Sequence, residues 1–213
     1  NDVLKRFGSA LKRHRSFTTL REHFESHYGG PSSKTFAEAQ HNFLCSLAAY
    51  SILTYVLGIK DRHNGNLLLD RQGFLIHIDF GFVLGKAPGG RCSLEASVPF
   101  KLTREMVDVL GGPDSPLFRE TFTDLATTAL RAARAHADTI LSLVEVTAYK
   151  SRMPCFDGAN CQNILSQVRE RLMLDVNDAD LRGRIEHLTA LSFNSVLTRA
   201  YDEFQKWSNG IAD

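Results

Sequence analysis

Hydrophobic and polar positions along this chain change their period twice. From Thr35 to about Leu57 the large apolar residues Phe36, Phe43, Leu47, Tyr50, Leu53 and Leu57 recur at helical steps, which predicts one long helix with a buried side. Thr35, followed three residues later by Glu38, predicts a capping box at its start. The period then shortens. NLLLD and FLIHIDF are short aliphatic runs separated by Arg71-Gln72-Gly73, the pattern of a β-hairpin in which Gly73 takes the positive-φ position. From Gly81 to about Pro99 no period holds, and GKAPGGR reads as a loop.

Beyond Lys101 the pattern is helical again. Thr103 is placed to cap REMVDVL, and Gly111-Gly112 to stop it. Asp114 or Ser115 caps the next helix, with Pro116 in its first turn and Phe118, Phe122, Leu125, Ala129 and Ala133 inward. A further helix through Ile140, Leu143 and Val144 ends before Pro154, and two or three more follow. Phe193, Leu197, Ala200, Phe204 and Trp207 form an amphipathic stripe close to the last residues. The fold class predicted is α+β, mostly α, with one hairpin, one long loop and a run of C-terminal helices.

Composition narrows the function classes. With 25 basic and 24 acidic residues the chain lacks the strongly basic face of a nucleic-acid binder. Cys45, Cys92, Cys155 and Cys161 contain no CxxC pair, and no His stands at finger spacing, so a reduced cytosolic chain without structural zinc is expected. NDVLKRFG has no apolar core of a signal peptide. The stretch Phe43 to Ile59 falls at or below the length of a membrane span and reads as a buried helix. Residues 1–34, basic and ending in YGGPSS, read as a lead-in segment with a solvated face.

The chemistry is concentrated in DRHNGNLLLDRQGFLIHIDFG, Asp61 to Gly81. Phosphoryl transfer needs hard oxygen ligands for metal ions and a group that positions a hydroxyl and takes its proton. Pairing the strands about the 71–73 turn sets Asn66 across from residue 77 or 78. Since paired strands lie about 5 Å apart, the Asn66 amide and Asp79 carboxylate can share a metal site. Asp61-Arg62-His63 is the reverse of the His-Arg-Asp triplet of protein kinases, and Asp79-Phe80-Gly81 closes the pattern. An imidazole accepts a proton near neutral pH, so His63 ranks first as the base, with Asp61 orienting it or acting in its place.

DRHNGN with IHIDFG resembles the phosphatidylinositol 3- and 4-kinase superfamily. FKLTREMVDVLGG, MPCF and YDEFQKWSNGI, together with the long-helix sequence, look like the catalytic C-lobe of a type III beta phosphatidylinositol 4-kinase. The resemblance implies transfer of the ATP γ-phosphate to the 4-hydroxyl of phosphatidylinositol, with ATP as co-substrate and Mg2+ (or Mn2+) held by Asn66 and Asp79. Asp61, Arg62 and His63 become the catalytic triplet. Asp79, Phe80, Gly81, Lys86 and Arg91 fall in the activation loop, whose sparse charge suits an unphosphorylated inositol headgroup. It further implies a cytoplasmic protein peripheral on membranes, Golgi among them, with regulatory protein partners. Trp207 is a candidate membrane contact.

No glycine-rich phosphate loop precedes the long helix. Residues 35–213 are therefore expected to be a C-lobe whose N-lobe lies outside this chain, with the chain inactive alone. The rival readings are a phosphatidylinositol 3-kinase, a related Ser/Thr protein kinase, and a non-catalytic membrane scaffold.

Overall fold

In the computed structural model the described residues are 19–88, 97–156, 161–193, 195–198, 200 and 202–203. Helix α1 (Leu20–Tyr28) opens at Thr19, whose hydroxyl accepts from Glu22 N at 3.2 Å. Helix α2 (Lys34–Leu57) is capped by Ser33, which accepts from Phe36 N at 3.1 Å. The cap expected at Thr35 is not there. The Thr35 hydroxyl lies in the first turn and, like that of Ser33, donates back to Tyr28 O, so the two hydroxyls close the end of α1.

Helix α2 is the central column. It buries Phe36, Ala39, Phe43, Leu44, Leu47, Ala48, Ile52 and Val56, a broader surface than one stripe. Phe24 of α1 meets Phe43 edge-on at 5.4 Å and Phe36 at 6.4 Å, contacts worth about 1 kcal/mol each beyond burial. Leu53, expected inward, is 42% exposed. It faces a groove of about 430 Å3 lined also by Ala129, Ala133 and Ile140, where small residues leave the helices apart.

Strands β1 (Leu67–Leu69) and β2 (Leu75–His77) pair antiparallel, Leu67 with His77, Leu68 with Ile76 and Leu69 with Leu75. The Asp70 carboxylate accepts from Gln72 N and Phe74 N at 2.8 Å each, and Gly73 takes φ +90°, as the sequence requires. The hairpin lies directly on α2: a Cβ on Gly73 would stand 2.7 Å from Ala39 O.

Thr103 caps α3 (Arg104–Val109) by accepting from Met106 N, and Gly111 and Gly112 end it at positive φ. Of the two candidate caps that follow, Ser115 serves, accepting from Phe118 N at 3.2 Å. A π-turn (Leu117–Phe122) leads into α4 (Thr123–Ala135), which packs on α2. In α5 (Ala137–Ala148) Leu141 and Val144 are buried, whereas Leu143 is 62% exposed. Helices α6 (Cys161–Arg171) and α7 (Leu181–Ser192) complete the core, and Phe193 bridges to Leu102. Leu197 of the expected stripe is partly exposed, and Phe204 and Trp207 lie outside the described residues. Among the described residues no helix is long and apolar enough to cross a membrane.

Candidate active site

Helix α2 stops at Gly58, which adopts the left-handed conformation and donates to Tyr55 O. The chain then turns through Asp61, also left-handed at φ +64°. Such a backbone costs a residue with a side chain about 1–3 kcal/mol, and it persists only where the surroundings fix it. Arg62 fixes it. This guanidinium, 2% exposed, donates to Lys60 O at 2.9 Å, to Ile78 O at 2.7 Å and to Asp79 O. Its carbon lies 5.6 Å from the centroid of the Phe80 ring. Arg62 thus straps the Asp61–His63 segment to the end of β2.

His63 and Asp61 are both largely enclosed, with His63 Nε2 3.8 Å from Asp61 Oδ1. His63 Nδ1 is buried without a hydrogen-bond partner among the described residues, which is rare for a group held only by packing. Asn66 sits in a 3-10 turn (Asn64–Asn66) leading into β1, and is buried. Its Nδ2 donates to Asp61 O at 2.8 Å, which orients the amide and leaves Oδ1 as the acceptor end. Ile78 N donates to Asn66 O at 3.1 Å, so Asn66 and Asp79 are one residue out of register across the hairpin. Asp79 is exposed and left-handed at φ +56°, its Oδ1 accepting from Gly81 N at 3.2 Å. One carboxamide and one carboxylate are hard oxygen donors. They fit Mg2+, which takes one or two protein ligands and fills its shell with water and phosphate oxygens.

The neighbours were harder to foresee. His77, on β2, stacks on Tyr50 at 4.4 Å and 9°. Burial, then the charges of Arg62 and Lys101, lower its pKa to about 3, so the ring is neutral at physiological pH. Its Nδ1 has no partner among the described residues. Asn64 accepts at Oδ1 from Lys101 Nζ at 2.7 Å, and Lys101 also pairs with Asp202 at 2.7 Å. Only the sequence oddity of a lysine inside the apolar run FKL could have flagged it.

The outer face of the hairpin carries Leu68, Ile76 and Ile78, each more than a third exposed, ending beside Asp79. After Asp79 the main chain runs back along the end of α2. Lys60 N donates to Phe82 O, Leu84 N to Leu57 O and Gly85 N to Gly58 O. Arg171 of α6 locks this junction, donating to Val56 O at 3.2 Å, and a Cβ on Gly58 would fall 2.4 Å from its Nη1. Lys86 is exposed and donates to Pro154 O at 2.7 Å. Arg91 lies outside the described residues.

A family model described as phosphatidylinositol 3- and 4-kinase matches residues 10–157. This chain belongs to the phosphatidylinositol 3- and 4-kinase family. Within the family it is 47% identical to a phosphatidylinositol 4-kinase of Dictyostelium discoideum over 195 residues, which is 92% of this chain and 16% of that protein. Phosphatidylinositol 4-kinase PIK1 of Saccharomyces cerevisiae is 40% identical over 194 residues, covering 91% of this chain and 18% of its own. Phosphatidylinositol 4-kinase beta of Sorex araneus is 39% identical over 193 residues, covering 91% and 23% respectively. The chain thus spans under a quarter of the length of these relatives. The kinship read from DRHNGN and IHIDFG is a family membership.

Proposed function

We propose that residues 35–213 act as the C-lobe of a phosphatidylinositol 4-kinase, which transfers the γ-phosphate of ATP to the 4-hydroxyl of phosphatidylinositol. The observation that carries this reading is the knot in which Arg62 ties Asp61 and His63 to the strand end bearing Asp79, while Asn66 is oriented by Asp61 O.

In this reading His63 takes the proton of the inositol hydroxyl as its oxygen bonds to the γ-phosphorus and the bond to the ADP oxygen breaks. The Asp61 carboxylate, 3.8 Å from Nε2, stabilises the imidazolium that results. Asn66 and Asp79 hold Mg2+ (or Mn2+), which when bound neutralises charge on the phosphates. The apolar face of Leu68, Ile76 and Ile78 forms a floor for the adenine ring, which favours apolar surface on both its faces. The enzyme works peripherally on membranes, Golgi membranes included, under regulatory partners.

The test is chromatographic identification of the lipid formed from ATP and phosphatidylinositol by the full-length protein. Phosphatidylinositol 4-phosphate is the expected product, and Asp79→Ala abolishes both it and Mg2+-dependent nucleotide binding. Transfer to a peptide but not to lipid, or to the 3-hydroxyl, overturns the assignment.

A further inference from the structure

One segment exposes large apolar groups that the site does not use. Leu143 is 62% exposed, Val146 73%, Tyr149 75% and Met153 45%, the first two on the C-terminal half of α5 and the others in the loop after it. The inward side of α5 is already committed, since Ala137, Leu141 and Val144 are buried. The outward side and the loop after it therefore form a separate ridge. Lys150 and Arg152 are exposed on the same loop, and Lys150 Nζ lies 5.3 Å from the Tyr149 ring centroid. The one acidic residue between Leu143 and Met153 is Glu145.

This ridge adjoins the activation loop. Lys86 donates to Pro154 O at 2.7 Å, one residue past Met153, so the first part of that loop is pinned to the ridge. Apolar side chains, a tyrosine and flanking basic groups suit the boundary between acyl chains and headgroups. The rings and aliphatics enter the interface while the cations stay with anionic phosphates.

We infer that Leu143, Val146, Tyr149 and Met153, with Lys150 and Arg152, form a docking surface for an anionic lipid bilayer, set beside the activation loop so that a headgroup is presented to it. Anionic headgroups over an acyl interior account for the cations and the apolar groups together. The inference rests on the lipid-kinase reading.

The experiment uses the full-length protein and two variants, Lys150→Glu/Arg152→Glu and Leu143→Ser/Tyr149→Ala, each checked for an unchanged thermal midpoint. Sedimentation with phosphatidylcholine vesicles, with and without phosphatidylserine, reads binding. Turnover is measured on phosphatidylinositol in vesicles and in detergent micelles. Both variants are expected to lose about tenfold or more in vesicle binding, the charge pair only where phosphatidylserine is present. Vesicle turnover falls in parallel and micelle turnover holds within about twofold. Vesicle binding and turnover equal to the parent protein overturn the surface, as does a change only in oligomeric state. If the parent protein phosphorylates neither form of lipid, it is the function that fails, and the sedimentation result still decides the surface.

Discussion

Lys101 and Asp202, a hundred and one positions apart, form an ion pair at 2.7 Å in which the lysine side chain is only 2% exposed. The same ammonium donates to Asn64, inside the DRHNGN segment. A buried cation of this kind requires both partners, and it links the C-terminal helical segment to the loop that carries His63. Removing the lysine alone strands an aspartate that is 18% exposed. Lys101→Met is expected to lower stability by roughly 3 kcal/mol, and Lys101→Met/Asp202→Leu to recover most of it. Urea denaturation of the two variants checks this.

Arg62 makes its contacts through a rigid fork, one nitrogen to each of three carbonyls. Lysine keeps the charge but not the geometry. Arg62→Lys is expected to reduce kcat by about tenfold or more with little change in the KM for lipid, since the strap positions groups and does not touch the substrate. Steady-state kinetics on phosphatidylinositol micelles measure the split.

His77 predicts a pH effect on stability. Its folded pKa is about 3, against 6.5 for a free imidazole, because burial and nearby cations oppose its charge. Above pH 6.5 both folded and unfolded rings are neutral and nothing is lost. Between 6.5 and 3 the unfolded chain binds a proton that the folded one refuses, so stability falls as the solution is acidified, by up to about 1.4 kcal/mol per pH unit. His77→Phe keeps a ring on Tyr50 and is expected to flatten this part of the slope. Urea midpoints of both proteins at neutral pH and at pH near 5 measure the difference.

Gly73 holds the hairpin against the long helix. At φ +90° and with Ala39 O only 2.7 Å from where a Cβ would sit, Gly73→Ala meets both strain and collision. It is expected to cost roughly 2 kcal/mol or more, and to lower turnover by shifting β1 and β2. Thermal melts with parallel assays test it.

Local signals were legible where one residue type has one physical use. The hairpin followed from two aliphatic runs and a glycine, and Asn66 stands opposite Ile78, one of the two partners that the spacing allowed. Thr103 and the Gly111-Gly112 stop were equally plain. The long helix was legible as a helix but not as to its buried side, because α1, the hairpin, α4 and α6 all press on it while Leu53 faces an open groove. The cap moved from Thr35 to Ser33 because two hydroxyls compete for the same turn. Lys101 shows in the sequence only as a lysine inside an apolar run, and Arg171 not at all. Their roles depend on Asp202 and on Gly58 and Gly85, which only the folded chain brings near.

The stem running from Phe82 to Gly85, clamped to the end of α2 and braced by Arg171, has a pharmacological consequence. Moving this stem away from α2 would break three main-chain hydrogen bonds and disturb the part-buried Arg171 guanidinium at once. A compound that must displace the stem would spend much of its affinity on that rearrangement. Compounds shaped to the stem as it stands, by contrast, would find their receptor already assembled.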